Sequence, residues 1–226
     1  MNECTAETTD NSPGRIRQLN EARIMQAAEQ VFADAGFRGA TTAAIAERAG
    51  LPKANVHYYF RTKSELYRAV LDNILKLWLD ALHDITADDD PREALTHYIE
   101  AKVELSRSQP EASRVFANEL IRGAPRLKRY LSNELRDWID ARVPVIQAWI
   151  AQGKIAPIDP YFLFFNIWAM TQTYADFQSQ CAAVLGRGDK LKPEDYDRAS
   201  AEIVTTVMRA LGLETAPTGA RHGGDD

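Results

Sequence analysis

The chain has 226 residues, enough for one large or two small domains with a substantial core. Its 45% hydrophobic and 26% charged residues are those of an ordinary globular protein, and no apolar run reaches the roughly 18 residues that span a bilayer, so a cytoplasmic protein without a membrane partner is expected. The net charge of −5 is uneven: residues 15–72 hold nine Lys/Arg against six Asp/Glu, a basic module on an otherwise acidic chain.

Residues 1–14 are polar, contain the breakers Asn11-Ser12-Pro13-Gly14, and read as a disordered leader; 214–226, with Pro, three Gly and no apolar period, read as a disordered tail. Between them apolar residues recur at three and four, which predicts an all-α chain. The first helix covers about 16–35, burying Ile16, Leu19, Ile24, Ala27, Ala28, Val31 and Phe32, and Gly36 stops it. Thr41 or Thr42 N-caps a second helix that closes at Gly50. Pro52 suits the first turn of a brief third helix ending near Phe60. Thr62 and Glu65 form a capping-box pattern for a fourth, running past Trp78 to about Leu82. After the acidic loop Asp88-Asp89-Asp90-Pro91, further helices are predicted at about 91–108, 110–122, 125–152, 159–183 and 194–212, making about nine in all.

Two helices joined by a glycine turn, the second short, make a helix-turn-helix, whose second helix can enter the DNA major groove. Ala43, Ala46 and Ala49 let the helices approach, and Ile45, Leu51, Val56, Tyr59 and Phe60 supply a small core. That leaves Lys53, Ala54, Asn55, His57 and Tyr58 outward. Asn reads adenine edges, Lys reaches guanine or phosphate, and the hydroxyls of Thr41, Thr42 and Tyr58 suit phosphate oxygens. The ordered pairs Gly36-Phe37, Thr41-Thr42, Ile45-Ala46, Ala49-Gly50 and Tyr59-Phe60, followed by Lys63, resemble the TetR family of transcriptional regulators. Pro52, Ala54 and His57 depart from the residues usual at their places, which bears on the operator sequence. The resemblance implies a three-helix DNA-binding domain at 15–62, with Lys63 as a further phosphate contact, and a ligand-binding and dimerisation domain at 63–213.

Two stretches, 98-YIEAKVELSRSQPEASRVFANELIRGAP-125 and 154-KIAPIDPYFLFFNIWAMTQTYADF-177, are similar to the branch of that family that governs pyrimidine utilisation. Trp168 and Gln172 are four apart and share a helix face, so an indole can pack on a flat ring while the amide reads its edge. The resemblance assigns Trp78, Trp168 and Gln172 to a site for uracil or thymine, with Thr171, Tyr174 and Asp176 as neighbouring candidates. Phe162, Phe164 and Phe165 read as core or dimer interface. The expected partners are a palindromic operator in double-stranded DNA, a small-molecule effector and a second copy of the chain, paired through helices 159–183 and 194–212. A sensor of hydrophobic xenobiotics or acyl ligands, controlling efflux or lipid genes, is the alternative. No enzyme is expected: His57, His83, His97 and His222 are scattered, no catalytic or metal motif occurs, and Cys4 and Cys181 stand apart. No cofactor is expected beyond the effector.

Overall fold

The computed structural model describes residues 13–79 and 85–213, so the expected leader and tail, and the end of the fourth helix near Leu82, lie largely or wholly outside the described residues. All regular structure among the described residues is helical. Contacts divide the chain into two compact units, one up to Ile74 and one from Leu75.

In the first unit, α1 (Pro13–Gly39) begins three residues earlier than expected, because Pro13 fits a first helical turn. Its regular course ends at Gly36, whose φ of 64° and ψ of 173° suit glycine almost alone. The core starts at Ile24 and includes Ala27, Ala28, Val31 and Phe32. Ile16 and Leu19, expected to be buried, are about half exposed, because the first turns of α1 find no apolar cover among the described residues.

The second helix, α2 (Thr42–Ala49), is N-capped by Thr41, whose Oγ1 accepts from the N–H of Ala44 at 3.1 Å. Gly50 ends it in the left-handed conformation, and Arg23 of α1 donates to the carbonyls of Ala49 and Gly50. A cation thus satisfies carbonyls at the negative end of α2 and ties the turn to α1. In α3 (Lys53–Tyr59) Pro52 is the cap and Val56 the buried anchor. Ile45, Ala46, Ala49, Val56 and Phe60 are buried as expected; Leu51 and Tyr59 are half-buried, and Ala43 is exposed.

Thr62 Oγ1 caps α4 (Lys63–Leu79) by accepting from Glu65 N at 3.1 Å, while the Glu65 carboxylate accepts from Arg61 N, one residue earlier than a reciprocal box requires. Leu66, Tyr67 and Val70 are buried, and Tyr67 meets Phe32 edge-on at 4.7 Å and Phe37 at 5.0 Å. These contacts count the start of α4 with the first compact unit, which runs to Ile74.

The second unit is built around α5 (Pro91–Ser108), which packs on α10 (Pro160–Asp176), α12 (Pro193–Ala210) and α6 (Pro110–Ile121). Asp90 caps α5, and Lys154 donates to the carbonyls of Ala87, Asp88 and Asp89, which makes the acidic loop a tied turn. Leu95, Ile99, Val103, Ile146, Trp149, Phe164, Ile167 and Ile203 form its core.

The single helix expected at 125–152 is instead a series: α7 (Lys128–Tyr130), a π-helical turn (Leu131–Leu135), α8 (Arg136–Asp140) and α9 (Val143–Ala151). Pro144, at the start of α9, lacks the N–H that would bond back into a continuous helix. The helix expected at 159–183 breaks at Phe177, with α11 (Gln178–Val184) beyond it.

Candidate DNA interface and effector cavity

On the first unit Thr41, Lys53, Ala54, His57 and Tyr58 are exposed, while Thr42 and Asn55 are partly so. Tyr58 is 71% exposed, which excludes a core role, and its ring leans edge-on against Tyr59 at 5.2 Å. Val56 and Phe60 anchor the inner side of α3. Five of the eight expected DNA contacts, Lys53, Ala54, Asn55, His57 and Tyr58, therefore share one short helix whose opposite side is fixed. Lys63 is placed differently: its Nζ donates to Ala40 O at 2.8 Å and Arg38 O at 3.5 Å and lies 4.7 Å from the centre of the Phe37 ring. It ties α4 to the segment before α2, and an ammonium so held has one N–H left for a phosphate.

The second unit contains a cavity of about 110 Å³, counted as space for the centres of water molecules. Aromatic side chains dominate its lining. Trp78 meets Phe116 edge-on at 4.7 Å, and Trp138, Phe164 and Trp168 form a cluster with centres 5.4 to 6.4 Å apart. Trp168 Nε1 donates to Tyr98 Oη at 2.6 Å, which fixes the indole, and Trp138 Nε1 donates to Leu79 O. Arg142 stacks on Trp138 at 3.9 Å. The π-helical turn brings Leu131 and Leu135 to the same wall.

Trp78, Trp168 and Gln172 all line this cavity. Gln172 carries no hydrogen bond to any described residue. The structure does not bring Thr171, Tyr174 or Asp176 to the lining. Thr171 is buried, donating to Ile167 O at 2.8 Å while its own carbonyl accepts from Ser106 of α5. Tyr174 turns toward Tyr196 of α12, at 6.5 Å between rings. Asp176 accepts from Ser113 of α6. All three lie on the sides of α10 that pack against other helices.

Tyr98, Lys102, Phe116 and Trp138 line the cavity but were not singled out from the sequence. Lys102 is 4% exposed, its Nζ 4.3 Å above the Trp78 ring. Burial lowers its pKa to about 8, against a smaller upward pull from Asp176. Burial likewise pushes the Tyr98 hydroxyl well above its ordinary range, opposed by the Trp168 hydrogen bond. The carboxyl of Asp176 is raised by burial, with Ser113, Lys102 and Arg114 pulling it back.

A basic, exposed recognition helix in one unit and an aromatic cavity in the other define a ligand-responsive helix-turn-helix regulator. The sequence matches the profile of bacterial regulatory proteins of the tetR family over residues 24–70 and that of the YcdC-like protein C-terminal region over residues 71–214, and the chain belongs to the TetR family. It is 43% identical to the HTH-type transcriptional regulator RutR of Escherichia coli K12, over 90% of this chain and 95% of that one. It is 27% identical to the regulator BetI of Stenotrophomonas maltophilia, over 75% of this chain and 97% of that one. These relatives are transcriptional regulators and not enzymes. Among solved structures, a putative transcriptional regulator of Streptomyces coelicolor superposes with a TM-score of 0.67 at 23% identity, covering 86% of this chain and 99% of that one. AibR, solved with isovaleryl coenzyme A and operator DNA, superposes with a TM-score of 0.64 at 17% identity over 83% of this chain and 97% of that one, which shows the shared fold.

Proposed function

We propose that the chain represses transcription from a palindromic operator as a homodimer and leaves it on binding a small planar pyrimidine such as uracil or thymine, controlling pyrimidine catabolism. The observation that carries this reading is the Gln172 amide, set without a hydrogen-bond partner among the described residues in an aromatic cavity shared with Trp78 and Trp168. Gln172 is partly buried, so its amide is open to a molecule in the cavity, and a ring with a carbonyl beside an N–H can meet both its donor and its acceptor in one plane. At about 10–15 Å³ for each water, the cavity holds roughly seven to eleven waters, the scale of one substituted six-membered ring. The identity to RutR supports the same reading. Exposed Phe162, Phe165 and Phe177 support a dimer face along α10 and its end.

In this mechanism the dimer holds two α3 helices about 34–36 Å apart, in successive major grooves. The effector prefers another arrangement and shifts the equilibrium by its differential affinity for the two states. Helix α4 is the coupling element, since it carries Lys63 at its start and Trp78 near its end.

Gln172→Ala is expected to keep operator binding while the uracil needed to release it rises roughly ten- to hundredfold. Gel shift with uracil titration measures this, and release at the wild-type concentration would overturn the assignment. Calorimetric heat with acyl thioesters or lipophilic cations, and none with uracil or thymine, would assign the chain to efflux or lipid control instead.

A further inference from the structure

A ring read by Gln172 alone leaves other polar groups of the cavity lining unused. Tyr98 and Lys102 lie one turn apart on α5, are 1% and 4% exposed, and both line the cavity. Tyr98 Oη accepts from Trp168 Nε1, but its own proton meets no acceptor among the described residues. The Lys102 ammonium faces the Trp78 ring and has neither a hydrogen-bond acceptor nor a carboxylate within salt-bridge distance among those residues. Asp176, whose charge it senses, is hydrogen-bonded to Ser113. A buried ammonium is costly unless an acceptor meets it, and an indole face compensates only in part. A position that merely filled the core would be served as well by methionine. Two sets of donors without acceptors therefore line a cavity to which Gln172 adds a donor and an acceptor together.

We propose that Lys102, flanked by Tyr98, holds an oxygen of the effector ring and makes the site specific for rings with two carbonyls over rings with one. This rests on the pyrimidine reading and deepens it: Gln172 pairs with one carbonyl and the adjacent N–H, and Lys102 takes the remaining carbonyl. Rings that lack that oxygen leave the ammonium buried and unanswered.

The test is calorimetry on the full chain with uracil, thymine, pyrimidin-2-one and pyrimidin-4-one, for wild type, Lys102→Met and Tyr98→Phe, with thermal melting as the check on folding. Wild type is expected to prefer uracil over at least one mono-oxo ring by tenfold or more. Lys102→Met is expected to lose uracil affinity roughly ten- to hundredfold, as a hydrogen bond to a charged group implies, and to erase that preference to within threefold. Tyr98→Phe, which changes one atom, is expected to weaken uracil several-fold. Uracil bound by Lys102→Met within threefold of wild type would overturn this proposal and leave the pyrimidine reading standing. Should Lys102→Met not fold, unchanged uracil affinity in Tyr98→Phe would overturn it instead. No heat from wild type with any of the four rings would overturn the pyrimidine reading and this proposal with it.

Discussion

Arg23 and Gly50 show how single residues set the helix-turn-helix. A Cβ at Gly50 would lie 3.0 Å from Arg23 Nη2, and the φ of 62° disfavours any side chain. Gly50→Ala is expected to lower stability by about 1–2 kcal/mol, read by urea unfolding of the full chain. On the DNA face, Asn55→Ala is expected to relax discrimination at one base position by roughly 1–3 kcal/mol, while Lys53→Ala weakens all sequences alike if it meets phosphate. Binding curves on a set of singly altered operators separate the two. Lys102 gives a pH signature. Its folded pKa, about 8, lies below the 10.5 of the free side chain, so the unfolded chain binds more protons between those values and stability rises with pH across that window. Below about pH 8 the full penalty applies, on the order of 3 kcal/mol, and Lys102→Met is expected to melt higher than wild type at pH 7 without effector. Trp168 and Gln172 were legible because their spacing puts them on one face of one helix. Lys102 was not, since a lysine in a polar helix reads as surface; the available signal was its register with Leu95, Tyr98, Ile99, Val103 and Ser106 on the buried side of α5.

At the scale of elements, caps and breakers written into the sequence were legible where they are local. Thr41, Thr62 and Gly50 each act within a few residues of themselves, whereas the cap at Asp90 reads only as part of a loop. The break-up of 125–152 was missed because a π-helical turn keeps the apolar pattern of a helix while shifting its register by one residue. That shift turns Leu131 and Leu135 to the cavity together with Trp138. The start of α12 is a second such local device. Arg187 binds Asp195 through three contacts of 2.8 to 3.0 Å, and the same carboxylate accepts from Lys192 N. These bonds, led by that to Arg187, hold the Asp195 carboxyl below its ordinary range. A depressed carboxyl contributes stability above its unfolded pKa of about 3.9, and that contribution is lost as pH falls through the folded value. Asp195→Asn is therefore expected to melt lower than wild type at pH 7, with the gap closing in stronger acid, as scanning calorimetry at stepped pH would record.

For the molecule as a whole, the sequence's uneven charge corresponds to its two units. The basic stretch 15–72 and the exposed α3 lie in the first unit, the acidic helices and the cavity in the second. The all-α class followed from periodicity; that α4 adds the buried Leu66, Tyr67 and Val70 to the first unit did not. Contacts at long sequence separation, such as Tyr67 on Phe32, do not show in local periodicity. If the first unit grips phosphates, operator affinity is expected to fall steeply with salt despite the net charge of −5, with a log–log slope of several units by gel shift. A flat profile would remove DNA as the partner.

The four tryptophans, Trp78, Trp138, Trp149 and Trp168, all lie beyond Ile74. Three of them line the cavity, while the helix-turn-helix unit has tyrosines but no indole. Ultraviolet emission excited beyond the tyrosine band is therefore a built-in optical gauge of the second unit alone. A ring stacked among those indoles would dim it without any label, and a dimming that follows operator addition instead would show the message travelling in reverse.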